Sequence, residues 1–239
     1  MSGWTRRVNR VLGRTFGVQI VPGRTRSVRV TPDWFVRLVY FSDLLRRVRG
    51  VPGDVAECGV ADGTSLAMLA SILRATDDLD GRRVWGFDAW EGLPPASEAD
   101  LSHERSIAAA GMFGHTSVRR VGEELTAYGW TDDAAGDAIT LVPGYFEDTL
   151  PSFDRPLAFL HVDADLYESY RCVLTNLWPH VQPGGVVAFD EYEETEKWPG
   201  AKKAVDEFLG SLPAAEASLR EDARTGKWWV LKAGDTRDG

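Results

Sequence analysis

Cysteine is nearly absent from this chain, with only Cys58 and Cys172 in 239 residues. Two isolated thiols exclude a disulfide framework and a cysteine-rich zinc site, so both are read as buried thiols of a reducing, cytoplasmic compartment. Unbroken apolar runs long enough to span a bilayer are missing as well, and no membrane partner is expected. Basic charge is in deficit: 27 Lys and Arg face 36 Asp and Glu, a net charge of −9. That balance argues against nucleic acid as a partner. The exception is the first 29 residues, rich in arginine and free of acid. They lack the apolar core and cleavage site of a secretory signal and read as a loosely ordered or partner-docking arm, with a membrane or anionic-ligand contact as the alternative. The turn after the first expected strand also lacks the G-x-G-x-x-G dinucleotide fingerprint, since only Gly59 and Gly63 are present.

What is present is a core and a repeating order. Apolar residues make up 44% and aromatics 10%, enough for one α/β domain with elaborations. Thr31 and Pro32 open a helix over 31–50, with Phe35, Leu38, Val39, Leu45 and Val48 near helical spacing. Strands are expected over 54–60, 83–90, 138–146, 157–163 and 186–192, and helices over 61–76, 117–130, 167–181 and 201–212. The QPGG run before 186 reads as a turn, and 217–234 as a hairpin around Thr225-Gly226. Strands alternating with helices imply a mostly parallel sheet covered on both faces, edged by an antiparallel hairpin. Residues 1–50 form an arm and helix, a lid or oligomer contact, and 51–239 the main domain.

The strongest chemical signal is carried by LAFLHVDADLYES (157–169) and VVAFDEY (186–192). Each apolar strand ends in carboxylates, Asp163 and Asp165 on one, Asp190 and Glu191 on the other. Ligands bind at the carboxyl ends of parallel strands, so four acidic groups at one sheet edge suit a hard divalent cation. A second signal lies upstream. Glu57 through Ser65 forms a glycine-bearing strand-to-helix turn, whose free N–H groups suit an anionic ligand or a plain connection. Asp88 ends the next strand at a spacing that fits a ribose contact, or serves as a loop cap. Gly144-Tyr145-Phe146 ends the third and offers an aromatic face to a purine, or ordinary core.

With these residues in order, the chain resembles the macrocin O-methyltransferase family, S-adenosylmethionine-dependent enzymes that methylate sugar hydroxyls on bacterial antibiotics and related secondary metabolites. The match runs from about Gly53 to Leu209 through GDVAECGVADGTS, WGFDAWEGLP, LVPGYFEDTLP, FLHVDADLYES, PGGVVAFDEY and WPGAKKAVDEFL. The resemblance implies a Rossmann-like, seven-stranded methyltransferase sheet with an antiparallel final strand. It implies that Glu57, Gly59, Gly63, Thr64 and Ser65 surround the methionine part of the cofactor, with Asp163 close by. Asp88 would hold the ribose, and Gly144, Tyr145 and Phe146 would flank the adenine. Asp163, Asp190 and Glu191 would hold Mg²⁺, and Asp165 is a candidate base or cofactor contact. A glycosylated natural product is the implied acceptor, and a homo-oligomer the implied assembly. One departure stands out: the family's usual Asp-Asp pair is Asp190-Glu191 here, and glutamate reaches about one methylene further.

Methyl transfer to an alcohol needs an in-line hydroxyl whose proton is removed, so a cation and a carboxylate base are the expected machinery. His161 is read as turned away from Asp163, a packed or helix-facing histidine, and His115 as a solvated loop residue in the 91–115 segment. Trp198 and Pro199 are candidate walls of the acceptor pocket, and Trp228 and Trp229 pack a sheet face and its edge. The rival readings are a metal-independent or phenol-directed methyltransferase, a nicotinamide-dependent dehydrogenase and a non-catalytic cofactor-binding protein.

Overall fold

The computed structural model describes residues 30–234. The expected arm at 1–29 lies outside the described residues. Seven strands form one sheet: β1 Asp54–Cys58, β2 Val84–Asp88, β3 Ile139–Pro143, β4 Leu157–Val162, β5 Val181–Phe189, β6 Ala217–Glu221 and β7 Trp228–Lys232. Their order is β3-β2-β1-β4-β5-β7-β6. The first five are parallel, while β7 pairs antiparallel with both β5 and β6. The strand order reverses between β1 and β4, a switch point where ligand crevices open at the carboxyl ends.

Side chains alternate across each strand, which divides the core in two. Val55, Phe159, Val186, Ala188 and Trp229 face one way. There they pack with α1 Pro32–Arg47, α2 Thr64–Ala75 and α3 Val118–Ala127. Ala56, Cys58, Leu160, Val162, Val187, Phe189 and Val230 face the other way. They pack with α6 Tyr167–Leu177 and α7 Pro199–Ser211. A fully buried leucine such as Leu69 contributes about 2 kcal/mol of transfer free energy to such a layer. Trp228 and Trp229 fall on opposite faces, as alternation requires.

α1 begins where expected: Thr31 caps it, its hydroxyl accepting from Trp34 N at 3.2 Å, with Pro32 at the first helical position. Its buried stripe is Tyr40, Phe41, Leu44 and Leu45, whereas Phe35 and Val39 are 55% and 42% exposed. Two expectations need correction. QPGG is no turn but the start of β5, whose pairing with β4 shifts register between Leu157 and Phe159. Gly184, at φ +81°, takes up this irregularity inside the strand. A helix absent from the sequence reading, α4 Asp132–Ala138, runs directly into β3, with Thr131 as its cap and Asp132 and Asp133 in its first turn. Cys172 is half-buried, unlike Cys58. Among the described residues no helix is long and apolar enough to cross a membrane.

Candidate active site

The carboxyl ends of β1 to β5 open into a cavity of about 850 Å³. Its far walls come from α1, through Thr31, Trp34 and Arg37, and from the 91–115 segment, through Leu93, Ile107 and Phe113. That segment is pinned rather than loose. Buried Asp100 accepts from Ser97 N at 2.8 Å and from Tyr167 N, at the start of α6, at 2.7 Å.

The glycine-bearing half of the cavity lies over β1, β2 and β3. Gly59 has φ +95°, and a Cβ there would stand 1.6 Å from the Asp163 carbonyl, so only glycine lets the β1 turn cross the end of β4. Gly59, Thr64, Ser65, Gly144, Tyr145 and Phe146 line the cavity, with a short helix, α5 Phe146–Thr149, behind the last of them. Gly63 does not line it and packs against Val121 instead. Asp88 does line it, yet its carboxylate also ties the β1 turn. Oδ2 accepts from Val60 N and Ala61 N, and Oδ1 from Trp90 N, which leaves Oδ1 with capacity to accept one more hydrogen bond.

Glu57 departs from its expected place. It is fully buried beneath the cavity, with Oε1 2.9 Å from His161 Nδ1. His161 is packed as expected, edge-on to Phe41, but the expectation that it turns away from Asp163 is wrong. Two residues apart on a strand, the two share a face, and Glu57, His161 and Asp163 approach one another within 4.8 Å. Burial disfavours a charged His161, but Asp190 and Glu57 outweigh it and push the ring up to about 9. Burial pushes Glu57 up to about 7 although His161 opposes it. His115 is an exposed loop residue, as expected.

The acidic half divides in two. Asp163, Asp165 and Glu191 each present an oxygen within 4.8 Å of the others. Burial and their neighbours' charges raise all three, Asp165 and Glu191 well above the ordinary carboxyl range. Glu191 is held from beneath by the Tyr170 hydroxyl, which donates to Oε2 at 2.5 Å. Asp165 stands at φ +59°, a conformation costly for a residue other than glycine, and lines the cavity. Asp190 turns elsewhere: Oδ2 takes Arg37 Nη2 at 2.7 Å, and Oδ1 lies 3.5 Å from Lys227 Nζ and 3.9 Å from His161 Nε2. Burial alone would raise it, but these cations hold it well below the usual carboxylate range. Asp163 is shared, with Arg37 Nη1 3.4 Å from its Oδ2.

Convergent, mutually repelling oxygen ligands fit a hard divalent cation, which would relieve the repulsion. The glycine cradle, the start of α2 and the remaining acceptor capacity of Asp88 fit a nucleoside-bearing cofactor. Arg37, Lys227 and Tyr170 escaped the sequence reading. Arg37 shows only an i,i+4 pairing with Asp33, which every solvated helix face offers.

A family model described as macrocin-O-methyltransferase (TylF) matches residues 36–229. Demethyldecarbamoylnovobiocin O-methyltransferase of Streptomyces niveus is 37% identical over 181 residues, 75% of this chain and 66% of that protein. The tetracenomycin-C 4'-O-methyltransferase of Streptomyces olivaceus, named for a 2,3-dimethoxy-alpha-L-rhamnosyl substrate, is 34% identical over 79% of this chain and 69% of its own length. Among solved structures, the calicheamicin methyltransferase CalS11 superposes with a TM-score of 0.72 at 26% identity, covering 98% of this chain and 95% of that one. The O-methyltransferase NovP superposes at 0.68 with 31% identity, covering 83% and 80%. With a glycine-bearing half and an acidic half meeting in one cavity, the family match over residues 36–229 and these relatives identify the chain: it belongs to the macrocin-O-methyltransferase family of O-methyltransferases.

Proposed function

We propose that the protein transfers the methyl group of S-adenosylmethionine to a hydroxyl of a small-molecule acceptor, with a divalent cation such as Mg²⁺ in the acidic half. The observation that carries this reading is the approach of Asp163, Asp165 and Glu191 within 4.8 Å, in the cavity that Gly59, Asp88 and Tyr145 also line. When bound, the cofactor supplies an electrophilic methyl group and the cation supplies Lewis acidity to a hydroxyl. Everything else falls to the chain. Asp163 and Glu191 would hold the cation, with Asp190 joining to the extent that it exchanges Arg37 for the metal. Asp165, raised well above the ordinary range by burial and by Asp163, keeps appetite for a proton and would accept the one the hydroxyl loses. α1 and the 91–115 segment would exclude water and orient the acceptor.

The names of the relatives, one carrying a rhamnosyl group, support a sugar hydroxyl on a glycosylated natural product as the acceptor. The apolar wall of Ile107, Phe113 and Trp198 suits the non-sugar part of such a molecule. The test is a mass-spectrometric screen of deoxysugar glycosides and matching phenols with S-adenosylmethionine and Mg²⁺. A one-methylene mass gain on the sugar supports the assignment; methylation of phenols alone overturns it.

A further inference from the structure

Arg37 is the least expected group in the site. Its side chain is 19% exposed, and its guanidinium gathers partners from four elements. Nη2 donates to Asp190 Oδ2 at 2.7 Å, and Nη1 to Asp163 Oδ2 at 3.4 Å and Ser65 Oγ at 3.1 Å. Nε donates to Asp33 on its own helix at 3.3 Å. One planar cation thus joins α1, the start of α2, and the ends of β4 and β5. The carboxylates around it are unequally supplied with positive charge. Asp190 also has Lys227 and His161 within 4 Å, whereas Asp165 and Glu191 have no cation at that distance among the described residues. Asp163 is the hinge of the two groups, belonging both to the Arg37 pair and to the converging set with Asp165 and Glu191.

A divalent cation held by Asp163 and Glu191 would lie within a few ångströms of that guanidinium. Three positive charges would then share one partly buried carboxylate pocket, and repulsion at such range is strong where water is scarce. We infer that Arg37 is a place-holding cation, occupying Asp163 in the metal-free protein and competing there with the divalent ion. The inference rests on the metal reading proposed above. It has a consequence for the fold. Arg37 ties α1 to the strand ends, and α1 carries Thr31 and Trp34 on the cavity wall. Metal occupancy and the grip of that wall are therefore coupled: loading the ion loosens α1 from Asp163, and a tightly docked α1 resists loading.

Binding of Mn²⁺ to the full chain, read from the electron paramagnetic resonance of the free ion and competed with Mg²⁺, tests this without turnover. Arg37→Met removes the charge and keeps an apolar stem, and should bind Mn²⁺ about tenfold tighter or more than the wild type. Arg37→Lys keeps the charge and should stay near the wild type. Hydrogen exchange of the unmodified protein gives a second reading, in which Mg²⁺ should speed exchange in α1. If the wild type binds Mn²⁺ and Arg37→Met binds it no more tightly, the competition is overturned while the metal reading stands. Unchanged exchange in α1 on metal loading would overturn the coupling even if the variant failed to fold. If neither protein binds Mn²⁺, the metal reading falls and the inference with it.

Discussion

Asp165 occupies a left-handed backbone position at φ +59°, close to two other buried carboxylates and without a countercharge of its own within 4 Å among the described residues. A protein keeps such a residue where its chemistry repays the strain. Asp165→Asn is expected to lower kcat by roughly 10²–10⁴, the usual worth of a positioned general base, while S-adenosylhomocysteine binding measured by calorimetry persists. Loss of that binding instead would make Asp165 a cofactor contact. The Glu57–His161 pair gives a different test. His161 is pushed up to about 9 from an ordinary 6.5, so its stabilising share is complete below about 6.5 and is lost as pH rises through 9. Glu57, pushed up to about 7, contributes a loss in the same direction over a lower window, from about 4.5 to 7. Between pH 7 and 9.5 denaturant unfolding should therefore reveal a loss of roughly 1–3 kcal/mol, and His161→Gln should flatten that slope. An unaltered slope would remove His161 from the account.

Elements differ in how much of them the sequence discloses. Acidic strand ends are legible because a buried parallel strand is a plain apolar run and the carboxylates that stop it are conspicuous. Asp163, Asp165, Asp190 and Glu191 all reach the expected sheet edge for that reason. Which of them converge is not legible: it depends on Lys227 and Arg37 drawing Asp190 aside, contacts that span 37 and 153 residues. Glu57 went astray similarly, since its strand position predicts the right edge but not the His161 that engages it. The 91–115 segment has no regular period to read, and tertiary contacts set its path. One of these is testable. A Cβ on Gly200, at the start of α7, would lie 1.9 Å from Asp100 Oδ1, the group that pins the segment to α6. Gly200→Ala should cost about 1–3 kcal/mol of stability and raise KM for the acceptor, measured by denaturant melts and steady-state kinetics. Unchanged values for both would free the 91–115 segment from any part in shaping the acceptor side.

Over the whole molecule, a seven-stranded sheet brings two sets of groups to one cavity, glycine-bearing turns over β1 to β3 and an acidic side over β4 and β5. Glu191 departs from the family's usual aspartate and is longer by one methylene. Its Oε2 is held at 2.5 Å by Tyr170, and the carboxylate still presents an oxygen within 4.8 Å of Asp163 and Asp165, so the longer side chain is anchored while it joins the cluster. The central claim is that this cluster works through a divalent cation. It is tested most directly by methyl transfer to a sugar hydroxyl before and after removal of divalent ions, followed by stepwise return of Mg²⁺. The account predicts that turnover falls by at least about a hundredfold on chelation and returns with Mg²⁺. Full turnover in the chelated protein would contradict it.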